Sequence, residues 1–209
     1  MIRVEFMVVG PVSTNCYFVI NDETKEALIV DPGEGAEGIG RYLSEHDLKP
    51  VAILLTHGHF DHTMAAGKLR ECYGIKVYAC HREKELLNHA GLNLAKAFLR
   101  TEYTLDADVY CMDGEVLSLL GREIQVLETP GHTTGGCCYY FPADNIIFTG
   151  DTLFCRSIGR TDFPGGSYQQ ICESIKQKLF VLPKETLCYT GHGESTTIGH
   201  EKERNPYVR

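Results

Sequence analysis

Positive charge is scarce in this sequence: 20 Lys and Arg stand against 28 Asp and Glu, a formal net charge of −8 with neutral histidine. A broad nucleic-acid surface needs a clustered basic face, so that class of partner is set aside. No apolar run reaches the ~20 residues of a bilayer-spanning helix, which argues against a membrane partner. The opening Met1, Ile2, Arg3, Val4, Glu5, Phe6 lacks the charged-then-apolar order of an export signal, so a cytoplasmic location is expected. Gly/Ser linkers, low-complexity runs and internal repeats are missing, and the 209 residues are expected to form one domain, 1–209. There is no Cys-x-x-Cys, and the nine cysteines lie mostly in apolar runs such as 77–80 and 136–139. They read as reduced, buried small hydrophobes. Cys155 stands apart because it comes four residues after Asp151. The Gly-x-Ser-x-Gly turn of a serine nucleophile is also absent, so a hydrolytic nucleophile would have to come from elsewhere.

Histidine is concentrated. The stretch Thr56, His57, Gly58, His59, Phe60, Asp61, His62 places four metal-ligating side chains within six residues. In extended backbone alternate side chains share a face, so His57, His59 and Asp61 are expected to converge, with His62 joining from the first turn of the next element. That arrangement suits two ions side by side. Three more ligands arrive in a repeated context, an apolar run ending in Gly: 126–131 before His132, 146–150 before Asp151, 187–191 before His192. Each Gly is expected to permit a sharp turn and to clear space beside the ligand. The other histidines, His46, His81, His89 and His200, have no such setting and read as structural or solvent-facing.

Alternating apolar positions predict strands within 4–9, 16–20 and 27–30, then a helix over 36–46 and a buried strand over 51–55 that delivers the His cluster. Helices are expected over 64–73 and over 83–99, the latter whole or broken near Gly91, around a strand at 75–80. Short strands are expected over 116–120, 123–127, 137–141, 146–148 and 187–189. Ser167 should cap a helix whose Ile171, Ile175 and Leu179 form one apolar stripe, and 197–204 closes the chain as a helix. Two rounds of strands then helix fit two sheets face to face with helices outside, and ligands at strand ends along one edge.

Asp31, the 57–62 block, His132, Asp151 and His192, in that order and over nearly the whole chain, resemble the metallo-β-lactamase superfamily. The segment from Gly150 to Phe154, continued by Ser157, Ile158, Gly159, Arg160, Thr161, Asp162, Phe163, is most similar to the short form of glyoxalase II (hydroxyacylglutathione hydrolase). Asp151, where class B1 lactamases carry Cys, points the same way. The resemblance implies an α/β fold, the four-layer αββα sandwich, and a metal-dependent hydrolase of thioesters. It implies two divalent ions, Zn²⁺ foremost with Fe or Mn as alternatives, because imidazole and carboxylate do not name the metal. His57, His59 and His132 would hold one ion and Asp61, His62 and His192 the other, with Asp151 bridging and Asp31 bracing the ligand loop. Asp61 and Asp151 would act in catalysis, where metal binding lowers the pKa of water to about 7 and supplies hydroxide. Some seventeen residues come after His192, too few for the helical substrate domain of the long enzymes. The implied site is therefore open and tolerant, with Arg160, Lys202 and Arg204 as candidates to hold an anionic part of a small thioester. Persulfide dioxygenases share a segment like Gly159 to Phe163, and the alternative is one Fe on His57, His132 and Asp151. A nuclease or another ester or lactone hydrolase ranks below both, and the oligomeric state is not indicated.

Overall fold

Apolar alternation broken at Gly10 and Pro11 turns β1 (Ile2–Val9) back on β2 (Thr14–Asn21) as an antiparallel pair. The computed structural model describes residues 1–208, and these form two units: 1–79 with 84–110, and 80–83 with the chain from 111 onward.

In the first unit β3 (Glu26–Val30) pairs antiparallel with β2 and parallel with β4 (Lys49–Leu54), and β4 pairs parallel with β5 (Lys76–Cys80), whose last residue, Cys80, counts with the second unit. Parallel neighbours need crossovers. These are α1 (Ala36–Glu45) and then α2 (Phe60–Thr63) with α3 (Ala66–Tyr73), succeeded by α4 (Lys84–Leu87), α5 (Ala95–Leu99) and β6 (Val109–Cys111). The sheet order is β1-β2-β3-β4-β5-β6. Ile39 and Leu43, four apart on α1, bury against Phe18, Ile20 and Ile53 of the sheet. Each such side chain contributes about 1.5–3 kcal/mol on burial.

The second unit runs β7 (Val116–Leu119), β8 (Arg122–Glu128), β9 (Cys137–Phe141), β10 (Ile146–Gly150), a small hairpin of β11 (Leu153–Phe154) and β12 (Ser157–Ile158), then α6 (Tyr168–Ser174). A π-helical turn, Ile175–Leu179, leads to β13 (Leu187–Thr190), β14 (Thr196–Thr197) and α7 (Ile198–Arg204). Its sheet order is β14-β13-β10-β9-β8-β7, with β10 and β13 parallel. Ser167 caps α6 by accepting from Gln170 N at 3.3 Å, and the stripe Ile171, Ile175, Leu179 packs on Cys138, Ile147 and Cys188. Each unit thus joins one mixed six-stranded sheet to helices, the α/β class expected. Among the described residues no helix is long and apolar enough to cross a membrane.

Two helices are shorter than their periodicity implies, for a tertiary reason. The helix expected from residue 64 begins at Ala66, because Ala65 N donates to Pro32 O at 3.0 Å. Over 83–99 only α4 and α5 form: Asn93 O accepts from Phe60 N at 2.9 Å, and Leu94 turns left-handed at φ +70°.

Candidate metal centre

The first unit presents His57, His59, Asp61 and His62 just beyond the buried end of β4. Extended backbone lasts only to His59 (φ −63°, ψ 148°), which stands at the N-terminus of α2. Asp61 is therefore carried by a helical turn beside His62, not by a strand, a correction to the alternating pattern. The short helix starts there because Phe60, buried and stacked on Phe98 with centroids 5.8 Å apart, has its N–H tied to Asn93. Tyr103 closes the far end by donating from its hydroxyl to Thr63 O at 2.7 Å, and burial pushes that phenol up to about 12.

Asp31 anchors this set. It lies 2% exposed, past the end of β3, in the left-handed region at φ +52°. Its Oδ1 accepts from Thr56 N at 2.8 Å, and its Oδ2 accepts from Thr56 Oγ1 at 2.6 Å and from His62 Nδ1 at 3.0 Å. A carboxylate only accepts, so the His62 proton sits on Nδ1 and the Nε2 lone pair is left for a ligand. The Thr56 hydroxyl, its proton given to Asp31, accepts from His57 Nδ1 at 3.2 Å and fixes that ring in the same tautomer. One carboxylate thus orients two histidines, whose ring centroids lie 4.1 Å apart. Thr14 donates to Asp61 Oδ2 at 2.9 Å and sets the rotamer of that carboxylate.

The second unit presents His132, Asp151 and His192 at the ends of β8, β10 and β13. His132 donates from Nδ1 to Arg160 O at 2.7 Å, so its Nε2 also carries the lone pair. His132 Nε2 and His192 Nε2 lie 3.5 and 3.6 Å from one oxygen, Asp151 Oδ2. In the first unit His62 Nε2 lies 3.4 Å from Asp61 Oδ2. These separations exceed good hydrogen bonds, whose N···O distances run about 2.7–3.2 Å. They match the ~3.3–3.6 Å between two ligands of one tetrahedral ion held at about 2.0–2.2 Å. The donors thus fit divalent metal in each unit taken by itself.

Glycine matters here, though not at every place expected. A Cβ on Gly159 would lie 1.8 Å from Asp151 O and 3.2 Å from His132 Nδ1, so only glycine passes between the two ligand segments. Gly131, at φ +134°, makes room for Ile171 N of α6 rather than for a ligand, and after β13 the left-handed residue is Gly193 rather than Gly191.

Arg160 grips Asp162 in a fork, Nε at 2.9 Å and Nη2 at 2.6 Å, and lies 4.1 Å over the Phe163 ring. That hydrogen-bonded pairing raises the guanidinium pKa and lowers that of Asp162. Lys202 donates to Phe180 O at 3.0 Å, and Arg204 is exposed in the last turn of α7. Cys155 is half-buried between β11 and β12. Sequence reasoning passed over Thr14, Thr56 and Glu83. The last is fully buried, accepts from Thr133 Oγ1 and Gly135 N at 2.8 Å each, and secures the loop just after His132. Thr56 adjoins the cluster and was legible as its flank; Glu83 carried no local signal.

The family model described as "Metallo-beta-lactamase superfamily" matches residues 9–192, a span that includes all seven ligand candidates. Among curated relatives, "Probable metallo-hydrolase YqgX" of Bacillus subtilis is 39% identical over 97% of this chain and 95% of its own length. "Hydroxyacylglutathione hydrolase GloC" of Haemophilus influenzae is 36% identical over 99% and 98%. Among solved structures, BLEG-1 B3 metallo-β-lactamase superposes with a TM-score of 0.94 at 38% identity, covering 99% of both chains. TTHA1623 in a di-iron-bound form gives 0.86 at 34%, covering 98% and 100%. ETHE1 from Myxococcus xanthus gives 0.79 at 32%, covering 99% and 84%.

Proposed function

The chain belongs to the metallo-β-lactamase superfamily, and from that premise we propose that it is a dinuclear metal-dependent hydrolase of thioesters of the S-2-hydroxyacylglutathione kind, acting in the cytoplasm. In this reading His57, His59 and His132 would hold one ion and Asp61, His62 and His192 the other, with Asp151 as the carboxylate shared between the two sets. The observation that carries it is the carboxylate-anchored His62: Asp31 fixes its tautomer, so that Nε2 stands 3.4 Å from Asp61 Oδ2. In the one-ion reading, on His57, His132 and Asp151, His62 and Asp61 would keep their places without an ion between them. The convergence of two imidazole nitrogens on Asp151 Oδ2 supports the bridge.

When bound, such ions supply a water activated near neutral pH and polarise an acyl carbonyl. Asp61, whose Oδ2 is held by Thr14 and set as the donor to the ion, would take a proton from the attacking water at its other carboxylate oxygen. Asp31 and the Arg160 carbonyl keep the imidazoles from turning away as charge builds. A thiolate leaves readily, so no strong general acid is demanded. The name of the Haemophilus relative supports the substrate class. All nine cysteines are free thiols, which suits a reducing compartment.

The di-iron form of one neighbour leaves iron open as the metal, and the likeness to ETHE1 favours persulfide oxidation as the second reading. Metal analysis of protein purified without added metal, paired with S-lactoylglutathione hydrolysis, tests the proposal. Two ions per chain and turnover are expected. One iron per chain, with oxygen uptake on glutathione persulfide and no thioester cleavage, would replace it with the dioxygenase.

A further inference from the structure

We propose that Cys80, His81 and Glu128, none of them among the ligands above, form an auxiliary site for a divalent ion of the Zn²⁺ class. All three belong to the second unit, Cys80 and His81 in its segment 80–83 and Glu128 at the end of β8. Their donor atoms gather closely: His81 Nδ1 lies 3.0 Å and Cys80 Sγ 3.4 Å from the same oxygen, Glu128 Oε1, and sulfur and nitrogen are 3.9 Å apart. A tetrahedral ion with Zn–S near 2.3 Å and Zn–N or Zn–O near 2.0–2.2 Å sets its ligand atoms about 3.3–3.6 Å apart, so small side-chain shifts suffice. The other oxygen, Glu128 Oε2, is 3.8 Å from Arg82 Nη1, which leaves Oε1 to bind as a single donor.

Charge and access agree with that assignment. Thiolate plus carboxylate neutralises a 2+ ion, and neutral imidazole completes a mixed donor set that favours Zn²⁺ over Mg²⁺ or Ca²⁺. Cys80 is fully buried, whereas the His81 side chain is 39% exposed, giving the ion a path and a fourth position for water. Binding releases one proton: the S–H bond of Cys80, now donating to Glu128, breaks, a sulfur–metal bond forms, and that proton leaves to solvent, while the neutral His81 ring moves its proton from Nδ1, which faces Glu128, to the partly exposed Nε2 and ligates through Nδ1. Burial raises the thiol pKa, so the site should fill more readily as pH rises. Its location also gives it an effect. Glu83, two residues after His81, holds Thr133 and Gly135, so an ion here would brace the loop that carries His132.

The test is a cobalt chloride titration of the metal-loaded protein, read as near-ultraviolet thiolate-to-cobalt charge transfer. The His and Asp donor sets contain no sulfur, so that band reports a thiolate site, and Cys80→Ser separates this one from Cys155 beside His200 and Glu201. One further cobalt per chain, with the band and release of one proton, is expected. Cys80→Ser should abolish the band, and His81→Ala, at a partly exposed position, should weaken binding on the order of tenfold or more while thermal melting stays near wild type. Absence of the band up to millimolar cobalt would overturn the proposal, as would its persistence in Cys80→Ser. Should Cys80→Ser fail to fold, unchanged cobalt affinity in His81→Ala overturns it equally.

Discussion

Replacing Asp31 by Asn isolates the orienting role of one carboxylate, because Asn keeps the size and tolerates the left-handed backbone at φ +52°. The amide has one accepting oxygen where the carboxylate has two. It can keep the 2.8 Å bond from Thr56 N, but its NH₂ then faces the Thr56 hydroxyl and the His62 Nδ1–H. The hydroxyl can rotate and accept, still leaving a lone pair for His57. His62 has no such freedom. To avoid two facing donors it must move its proton to Nε2, the atom directed at the metal, or turn away. Losing such an oriented partner costs metal affinity about 10–100-fold, which is about 1.4–2.7 kcal/mol. Two charge-assisted bonds at about 1.5–3 kcal/mol each are lost, one partly recovered through Thr56, so the apo protein should lose on the order of 2–4 kcal/mol. The loss should therefore fall on the ion held by His62 before that held by His57. Equilibrium dialysis against graded chelator, with metal counting at each step, measures this, and Asp31→Ala should weaken both ions. Two ions held with wild-type affinity in Asp31→Asn would refute the tautomer argument.

Four shorter predictions accompany it. Asp151→Ala should lower metal content and turnover together, since it leaves His132 and His192 without the oxygen on which both converge; full occupancy with near-normal turnover would remove the bridging role. His62→Ala should empty one ion and His132→Ala the other, seen as different residual stoichiometries, and loss of the same single ion from both would favour the mononuclear reading. Gly159→Ala places a methyl 1.8 Å from Asp151 O, so it should cost about 1–3 kcal/mol and lower the melting temperature; an unchanged melt would mean that the two segments separate freely. Because Lys202 is engaged at Phe180, Arg204→Ala should raise KM for an anionic glutathione thioester with kcat unchanged and leave a neutral thioester alone, and equal losses on both would assign the tail to the fold.

Much of the fold and of the donor set was legible in the residue order alone, since those features are local. The apolar run of β4 breaks into Thr56, His57 and His59 within a few residues, the stripe from α6 into the π-helical turn repeats every four, and Ser167 caps the helix it precedes, whereas Thr197, expected as the first residue of the closing helix, is its cap. Periodicity and side-chain type encode such elements directly. The small hairpin of β11 and β12 escaped, as two-residue strands have no period to detect.

What the tertiary structure decided rests on partners far apart in the chain. Asn93 O ends one helix and starts another by taking the N–H of Phe60; Asp31 settles the tautomer of His62, 31 residues on; the carbonyl of Arg160, identical in any residue type, settles that of His132. Cys80, His81 and Glu128 meet across 47 to 48 residues with no spacing motif, and His81 by sequence reads as structural or solvent-facing. A sequence shows which side chains can ligate, whereas the tautomers they adopt and the groups they meet depend on backbone carbonyls and long-range packing, which no residue pattern records.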